Sequence, residues 1–408
     1  MKRPLYINDF GFRCILGGDK NSVFEKIANG ARGDFTMYDV AGVMRPAATI
    51  DPNTLEPVIE KKFDNRVNRL SQAALSSVDN TIRKAVEKFG PARVGIFIGS
   101  CDNGSEASVA ALRAFKETGA FPEGYVLDYQ LADYPAKFIA ERFGITGMTS
   151  VHSTACASSA SAFVSARNNL YAGNCDVAIV GGVDIASRSV ILGFASLEAM
   201  SDKPTNPFSA NRSGLTLGDA SVFFVVTREP CAELCTPECK GLKVIGFGES
   251  ADADHITAPR ADGEGAYQAM KAALDNAGLD ASQIGYVNLH GTGTELNDAM
   301  ESRAVNRLFG ESNRADVPAS STKALTGHTL GAAGALELAF CCLSLQNRDS
   351  DNNCTLPSHL FDGVVDPNLP PVHLVKPGEK AKNLKYCMSN SFAFGGCNVS
   401  LIVENGLV

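Results

Sequence analysis

The segment "CASSASAFVSARNNLYAGNCDVAIVGGVD", residues 156–184, combines a helix of small residues with an apolar strand. Its first part, residues 156–173, is rich in Ala and Ser and carries no charge before Arg167, which is typical of a helix buried on most sides. The run "VAIVGGV", residues 177–183, is typical of a buried strand. The segment therefore predicts a helix and a strand in the core of an α/β protein.

The same alternation extends along the chain. Other strand-like runs end at glycine turns: "RVGIFIGS" (93–100), "GLKVIGFGES" (241–250) and "QIGYVNLHGTG" (283–293). Helical patterns closed by glycine lie between them, at residues 70–90, 264–278 and 297–310. Strands that alternate with helices predict an α/β fold.

A second helix of small residues, "LGAAGALELAFCCLSL" (330–345), also follows a strand-like segment. The first such helix begins at Cys156 and the second begins just after His328, which suggests a duplicated core. A chain of 408 residues is also long enough for two domains or two fused halves. We expect an N-terminal half at residues 1–240 and a C-terminal half at residues 241–408, joined by the polar connection at residues 227–241.

Composition excludes several classes of function. The net charge of -8 argues against a nucleic-acid-binding protein, because phosphate neutralisation needs a basic surface. The apolar runs are much shorter than the ~20 residues that span a bilayer, so we expect no membrane segment and a cytoplasmic location. The 12 cysteines have no regular spacing and are expected to be reduced.

Cys156 is a candidate nucleophile. At the first turn of a helix, free backbone N–H groups and the helix dipole are expected to stabilise its thiolate and lower its pKa. The same N–H groups could hold the oxyanion that forms when a thioester is attacked. A single cysteine is more often a small buried side chain, so this hypothesis depends on the other motifs.

Two histidines lie at the ends of predicted strands, where ligands collect in α/β folds. In "NLHGTGTELNDAME" (288–301), His290 precedes alternating Gly and Thr residues, and Asn297 or Asp298 is expected to cap the next helix. In "SSTKALTGHTLGAAGALE" (320–337), Lys323 and His328 precede the second helix of small residues. Each motif is a weak signal by itself, whereas the three in this order are a strong one.

With "TACASS" (154–159) and "SNSFAFGGCN" (389–398), these motifs make most of the chain resemble the elongating β-ketoacyl-acyl carrier protein synthases of the thiolase superfamily. The resemblance implies two pseudo-duplicated βαβαβ halves in a five-layered αβαβα core. It implies decarboxylative condensation of malonyl-acyl carrier protein with an acyl chain on the cysteine, in fatty acid or related polyketide or polyene elongation. It also implies a homodimer, or a heterodimer with a related ketosynthase subunit, and neither metal nor cofactor.

The resemblance also assigns roles to residues. Cys156 matches the acylated nucleophile, His290 and His328 the pair that assists decarboxylation, and Lys323 and Glu337 the charged groups that support them. Further assignments follow from the same motifs: Phe392 matches a gating residue whose N–H completes the oxyanion hole, and Thr292 and Thr294 match phosphopantetheine contacts. We expect residues 100–108 and the partner subunit to set acyl chain length.

Some residues depart from the family pattern or leave alternatives open. Asp219, Ala393 and Cys397 differ from the commoner residues, which puts the substrate range in doubt and suggests a specialised pathway. Cys397 also invites a CoA-dependent, thiolase-like hypothesis, although the histidine at position 328 favours an elongating synthase. A chain-length subunit of a heterodimer is a further alternative, and Cys156 argues against an inactive one.

Weaker signals have ordinary structural explanations beside the functional ones. Lys62 and Arg66 in "KKFDNRVNR" (61–69) are candidates for docking an acidic carrier protein, but a solvated helix face explains them equally well. Asp298 and Glu301 are explained by a capping box. Cys231, Cys235 and Cys239 are spaced as in a metal site, but no fourth ligand lies near them in the sequence, so we expect no metal there. The four histidines outside the motifs are expected to be structural or surface residues: His152, His255, His359 and His373.

Overall fold

The computed structural model describes residues 3–102 and 104–407. In the first half of the chain the strands are β1 (Leu5–Cys14), β2 (Thr36–Val40), β3 (Val43–Ala48), β4 (Val94–Gly99), β5 (Thr149–His152), β6 (Val177–Asp184), β7 (Leu217–Gly218) and β8 (Ala220–Thr227). In the second half they are β9 (Leu242–Ala251), β10 (Tyr286–Asn288), β11 (Pro318–Ser320), β12 (Asn353–Thr355), β13 (His373–Leu374), β14 (Lys380–Lys382), β15 (Tyr386–Phe392) and β16 (Cys397–Asn405).

The helices of the described residues are α1 (Lys20–Ala28), α2 (Arg66–Leu75), α3 (Asp79–Phe89), α4 (Ser105–Thr118), α5 (Tyr134–Phe143), α6 (Ser158–Ala172), α7 (Arg188–Ser196), α8 (Glu264–Ala277), α9 (Glu295–Glu311), α10 (Lys323–Thr326) and α11 (Ala333–Gln346). Two single 3-10 turns matter for the site. They lie at Ala155–Ala157, directly before α6, and at Leu330–Ala332, directly before α11.

The strand order repeats in the two halves of the chain. The large sheet runs β13-β11-β10-β15-β16-β9-β1-β8-β6-β4-β5. In the first half, β1, β8 and β6 are antiparallel neighbours and β6, β4 and β5 are parallel neighbours. In the second half, β9, β16 and β15 are antiparallel, and β15, β10 and β11 are parallel. This repeat agrees with a duplicated core, and the boundary at residue 240 stays a prediction.

The protein has five layers, two formed by the strands of the two halves and three formed by helices. Helices α6 and α11 pack against each other and against strands of both halves, so they form the central layer. Helices α2, α3 and α5 cover the outer face of the first half, and α8 covers that of the second half, with α9 packed on it. Helices on both faces of the sheet explain why β4, β6 and β8 are buried along their whole length.

The two helices of small residues approach closely, as predicted. A Cβ atom added at Gly334 of α11 would lie 2.9 Å from the Cβ of Ala160 in α6. Ser159 on α6 accepts a hydrogen bond from the backbone N–H of Ala335 at 3.0 Å. Small side chains thus bring the starts of both helices, and the residues before them, to one place at the centre of the protein.

Two helix predictions need correction. The pattern at residues 70–90 is two helices, α2 and α3, because the chain leaves the helix at Ser76, whose hydroxyl bonds the carbonyl of Ala73 at 2.8 Å. Helix α9 begins at Glu295, with Thr294 at the N-cap position, instead of being capped by Asn297 or Asp298.

Candidate active site

A cavity of about 360 Å³ lies where the two central helices begin. Cys156, His290 and His328 line it, together with Phe392 and Phe394. The sulfur of Cys156 and ring nitrogens of the two histidines all lie within 4.8 Å of one another. Residues from both halves of the chain therefore meet at one point, as their strand-end positions predict.

Cys156 lies in the 3-10 turn before α6. Ala155 before it has a φ of +48°, a conformation that costs energy for a residue with a side chain and is concentrated at functional sites. Burial raises the pKa of Cys156 to about 12, although Lys323 and the backbone N–H groups of Phe394 and Cys156 act in the opposite direction. The predicted low pKa is therefore wrong: burial outweighs the helix end, and Cys156 is a thiol that must pass its proton to a base.

That base lies next to the sulfur. His328 Nε2 is 2.9 Å from Cys156 Sγ. Burial, followed by the charge of Lys323, lowers the pKa of His328 well below 6.5, so its ring is neutral at neutral pH. His328 Nδ1 is buried and has no hydrogen-bond partner among the described residues.

His290 is held differently. Its ring centroid lies 5.3 Å from that of His328, with the two planes at 85°. Lys323 Nζ lies 3.5 Å from His290 Nδ1 and also bonds the carboxylate of Glu337. Because an ammonium group only donates, Nδ1 must accept, and the proton of neutral His290 lies on Nε2. Burial, Lys323 and His328 lower the pKa of His290 well below 6.5.

The carboxylate of Glu301 fixes the loop that carries His290. It is fully buried and accepts the backbone N–H groups of His290 at 2.8 Å and Gly291 at 2.7 Å. Asp298 accepts the N–H groups of Phe208 at 2.7 Å and Gly293 at 3.2 Å. The capping-box explanation of these two acids is therefore wrong, because both hold the "HGTG" loop in place.

The mouth of the cavity is lined by hydroxyl and apolar groups. Thr292 and Thr294 line it, and their hydroxyl oxygens are 2.9 Å apart. The loop Thr257–Ala258–Pro259, which the sequence analysis did not single out, also lines the cavity.

Comparison with known proteins places the chain in a family. Residues 32–232 match "Beta-ketoacyl synthase, N-terminal domain" and residues 243–355 match "Beta-ketoacyl synthase, C-terminal domain". The chain belongs to the β-ketoacyl synthase family. A Schizosaccharomyces pombe protein named as a mitochondrial 3-oxoacyl-[acyl-carrier-protein] synthase is 36% identical over 293 residues, which cover 69% of this chain and 67% of that protein.

Relatives that match along the whole chain agree with this result. A Staphylococcus aureus protein named 3-oxoacyl-[acyl-carrier-protein] synthase 2 is 28% identical over 415 residues, covering 98% of each chain. The solved ketosynthase ApeO in complex with its chain length factor ApeC, from Xenorhabdus doucetiae, has 35% identity and a TM-score of 0.86, covering 99% of this chain and 98% of that one. A β-ketoacyl synthase from Burkholderia phymatum has 29% identity and a TM-score of 0.84, covering 99% and 100%. The predicted five-layered, thiolase-like fold and ketosynthase activity are confirmed.

In this β-ketoacyl synthase the backbone N–H group that acts on the sulfur of Cys156 belongs to a different residue from the predicted oxyanion-hole donor. Phe392 lies in β15, paired with Asn398, and its ring packs at 6.3 Å from that of His290. The backbone N–H that stabilises negative charge on Cys156 belongs to Phe394, two residues further on. The choice of Phe392 as the N–H donor is therefore wrong, because position 392 still belongs to the strand.

The predicted docking pair of the synthase separates into one exposed and one buried residue. Lys62 is exposed and bonds Glu141 at 2.7 Å. Only 11% of the Arg66 side chain is exposed, and its guanidinium bonds Glu106 and the buried carboxylate of Asp219. The docking prediction is wrong for Arg66, which is part of the core, and stays a prediction for Lys62.

The remaining signals have structural explanations. Cys397 is not among the residues that line the cavity beside Cys156, so the structure gives this cysteine no place in a thiolase-like site. His359 is buried between Ser321 N and Pro207 O, whereas His255 and His373 are exposed and His152 is half-buried. Cys231 and Cys235 are half-buried and Cys239 is buried, and all three are free thiols. Of the residues described, none belongs to a helix with the length and apolar character that crossing a membrane requires.

Proposed function

We propose that the synthase condenses an acyl group carried on Cys156 with malonyl-acyl carrier protein, with loss of CO2, in fatty acid or related polyketide or polyene elongation. The observation that carries the proposal is the contact between Cys156 and the neutral His328, with His290 and its Lys323–Glu337 pair beside it. The names of the Staphylococcus and Schizosaccharomyces relatives support the carrier-bound substrate.

In the first step, Cys156 accepts the acyl group. Its thiol proton moves to His328 Nε2, and the sulfur attacks the carbonyl carbon of the incoming thioester. The N–H groups of Cys156 and Phe394 stabilise the oxyanion. When the C–S bond to phosphopantetheine breaks, the departing thiolate takes the proton back from His328, and the acyl group remains on Cys156.

In the second step, malonyl thioester loses CO2. The electron pair of the broken C–C bond forms an enolate, whose oxygen accepts hydrogen bonds from His290 and His328. The enolate carbon attacks the acyl carbonyl, and the bond to Cys156 breaks to leave a thiolate. This thiolate takes up one proton from solvent, relayed through His328, which ends the cycle neutral. Since nothing fixes Nδ1 of His328 among the described residues, its proton can occupy either nitrogen, so the ring accepts in the first step and donates in the second.

The other assigned residues support these steps. Lys323 and Glu337 set the tautomer and orientation of His290, and Thr292 and Thr294 bind the phosphopantetheine arm at the mouth of the cavity. The substrates bring their own reactive thioester on that arm, so the proposal needs no further cofactor or metal. Lys62 remains the candidate contact for an acidic carrier protein.

The segment at residues 100–108 borders the nucleophile. Cys101 Sγ lies 3.2 Å from the carbonyl oxygen of Ala155, and burial raises the pKa of Asp102 to about 7. Asn103 lies outside the described residues. The position of this segment supports a role in acyl chain length.

The test is mass spectrometry of the carrier protein after incubation with malonyl-carrier and a series of acyl-carriers. A β-ketoacyl product that is longer by one malonate-derived unit, and absent with Cys156→Ala, supports the proposal. A parallel reaction with the corresponding CoA thioesters separates the alternatives. Product formed only from CoA thioesters would favour a CoA-dependent condensing enzyme, and no product from either would contradict the proposal.

We also propose that the synthase works as a homodimer or as the active subunit of a heterodimer. Helix α4 exposes the apolar side chains of Val109, Leu112 and Phe115, and Leu127 and Leu131 are exposed shortly after it. Such a patch is typical of an interface between subunits. The ApeO structure, a ketosynthase with its chain length factor, supports a paired arrangement. Light scattering of the purified chain distinguishes a monomer from a dimer.

A further inference from the structure

One segment of the N-terminal half contacts the loops of both histidines. Residues 205–219, which we call the clasp, run from the loop after α7 through β7 to the start of β8. None of these residues was singled out for the chemistry of the histidines. Their hydrogen bonds nevertheless reach both histidine loops of the C-terminal half.

On one side, the clasp holds the backbone of His328. The N–H of His328 donates to the carbonyl of Thr216 at 2.6 Å, and its own carbonyl accepts the N–H of Gly218 at 2.9 Å. Leu217 and His328 thus form a short parallel bridge. Both backbone groups of the histidine are fixed by the same three residues.

On the other side, the clasp holds the "HGTGT" loop. The N–H of Gly214 donates to the carbonyl of Gly293 at 3.0 Å, and the buried hydroxyl of Thr205 lies 2.8 Å from the carbonyl of Thr292. The approach is close, because a Cβ atom at Gly293 would lie 2.1 Å from Thr205 Oγ1. The two sides are joined by the Thr205 N–H, which donates to Thr216 Oγ1 at 2.9 Å.

The clasp is anchored at its end by Asp219. This fully buried carboxylate accepts the N–H groups of Ile50 at 2.8 Å and Ala186 at 2.7 Å and bonds Arg66. Arg66 in turn bonds Glu106 on α4. The segment is therefore fixed to the rigid part of the N-terminal half.

We infer that the clasp sets the positions of His290 and His328 relative to Cys156, with Thr205 and Thr216 as the positioning residues. The backbone bonds matter most for His328, because its Nδ1 has no partner among the described residues that would orient the ring. A misplacement of about 1 Å can slow a reaction that depends on aligned groups by about 100-fold. The inference deepens the proposed function and rests on it for the roles of the histidines.

The test uses threonine variants that conserve volume. Thr216→Val removes the acceptor of the Thr205 N–H, and Thr216→Ser keeps it. Thr227→Val is the matched control, because Thr227 is buried in β8 and its hydroxyl also makes two hydrogen bonds, to Asn8 and Glu229. Unfolding in urea checks that Thr216→Val and Thr227→Val are destabilised to a similar degree.

The first measurement is the rate of alkylation of Cys156 by iodoacetamide, which requires neither carrier protein nor malonyl thioester. We expect Thr216→Val to react about ten-fold more slowly than Thr227→Val, since the proton acceptor His328 shifts from the sulfur. Thr216→Ser should restore the rate. Equal rates for Thr216→Val and Thr227→Val, or no recovery with Ser, would overturn the inference.

A second variant keeps the test open if Thr216→Val does not fold. Thr205→Val removes the bond to the loop of His290 and leaves the backbone of His328 in place. We expect kcat for condensation to fall about ten-fold with little change in KM, while alkylation of Cys156 keeps the rate of Thr227→Val. A kcat equal to that of Thr227→Val contradicts the inference. A wild-type enzyme that forms no product would refute the proposed function, and the alkylation test would still decide the inference.

Discussion

Replacing Lys323 by Met should let His290 take up a proton that the wild-type enzyme excludes. Lys323 Nζ is 3.5 Å from His290 Nδ1, and both groups are buried. At an effective dielectric constant of about 20, two unit charges at this distance repel by about 5 kcal/mol. Methionine conserves most of the side-chain volume and removes the charge, so the pKa of His290 should rise strongly. Burial, which also lowers this pKa, remains in the variant.

Glu337 provides the matched comparison. In Lys323→Met the carboxylate of Glu337 loses its partner, and any charge that it keeps attracts a proton to His290. In Lys323→Met/Glu337→Gln both charges are gone, so the pKa of His290 should lie between those of the wild type and the single variant. Leaving a buried acid without its partner should also cost about 3–5 kcal/mol of stability, and the double variant should recover part of it.

The assay is NMR titration of histidine labelled at Cε1, with the signals of the six histidines assigned by substitution. Decarboxylation of malonyl thioester is measured over the same pH range. Since neutral imidazoles stabilise the enolate, Lys323→Met should lose activity as the pH falls through the raised pKa of His290. If His290 remained neutral to the same low pH in all three proteins, the role given to the Lys323 charge would be refuted.

Four further predictions concern Glu301, Arg66 and Lys62. Glu301→Gln places an amide N–H against the N–H of His290 or Gly291. The free energy of unfolding in urea should therefore fall by about 1.5–3 kcal/mol, and kcat should fall as well. An unchanged kcat would contradict the role given to Glu301. Burial raises the pKa of Glu301 to about 7, so its protonated form stabilises the folded state at pH values below the pKa of the unfolded chain. This stabilisation is lost as the pH rises through 7, and the loss of stability between pH 4 and 8 should therefore be smaller in Glu301→Gln than in the wild type. An equal loss would show that Glu301 does not titrate in this range. Arg66→Met leaves Asp219 buried without its cation and should cost about 3–5 kcal/mol in urea unfolding; an unchanged stability would contradict the role given to this pair. Lys62→Glu loses only an exposed pair with Glu141, so it should cost no more than about 1 kcal/mol and should raise KM for acyl-carrier protein. An unchanged KM would remove Lys62 from the docking surface.

The sequence predicted the parts of this fold that depend on local pattern. The buried runs at residues 93–100 and 176–184 are strands β4 and β6, and the two helices of small residues are the central pair. The sequence motifs also predicted that Cys156 and both histidines lie close together, because the strand ends and helix starts of duplicated halves meet at the centre of the fold. Each of these inferences rests on a pattern of residues that are close together in the sequence.

The predictions that the structure contradicts concern properties that depend on contacts between residues far apart in the sequence. The pKa of Cys156 is set by the protein packed around it, which no local helix signal reports. Arg66 looked like a surface cation until the fold placed Asp219 against it, across 153 positions of sequence. Glu301 has the spacing of a capping residue, and its bonds to His290 and Gly291 arise from the turn of the chain before α9. Burial and pairing of this kind are properties of the tertiary structure.

The position of β16 has a consequence for how the enzyme is made in the cell. This strand, Cys397–Asn405, follows every other strand of the described chain in sequence, and it lies between β9 and β15 near the middle of the sheet. A ribosome that has translated everything up to residue 390 has released neither Phe394 nor the strand that joins β15 to β9. A chain that lacks Phe394 and β16 should therefore not acylate Cys156, and a premature stop codon before residue 397 should yield material for proteolysis instead of a partly active synthase.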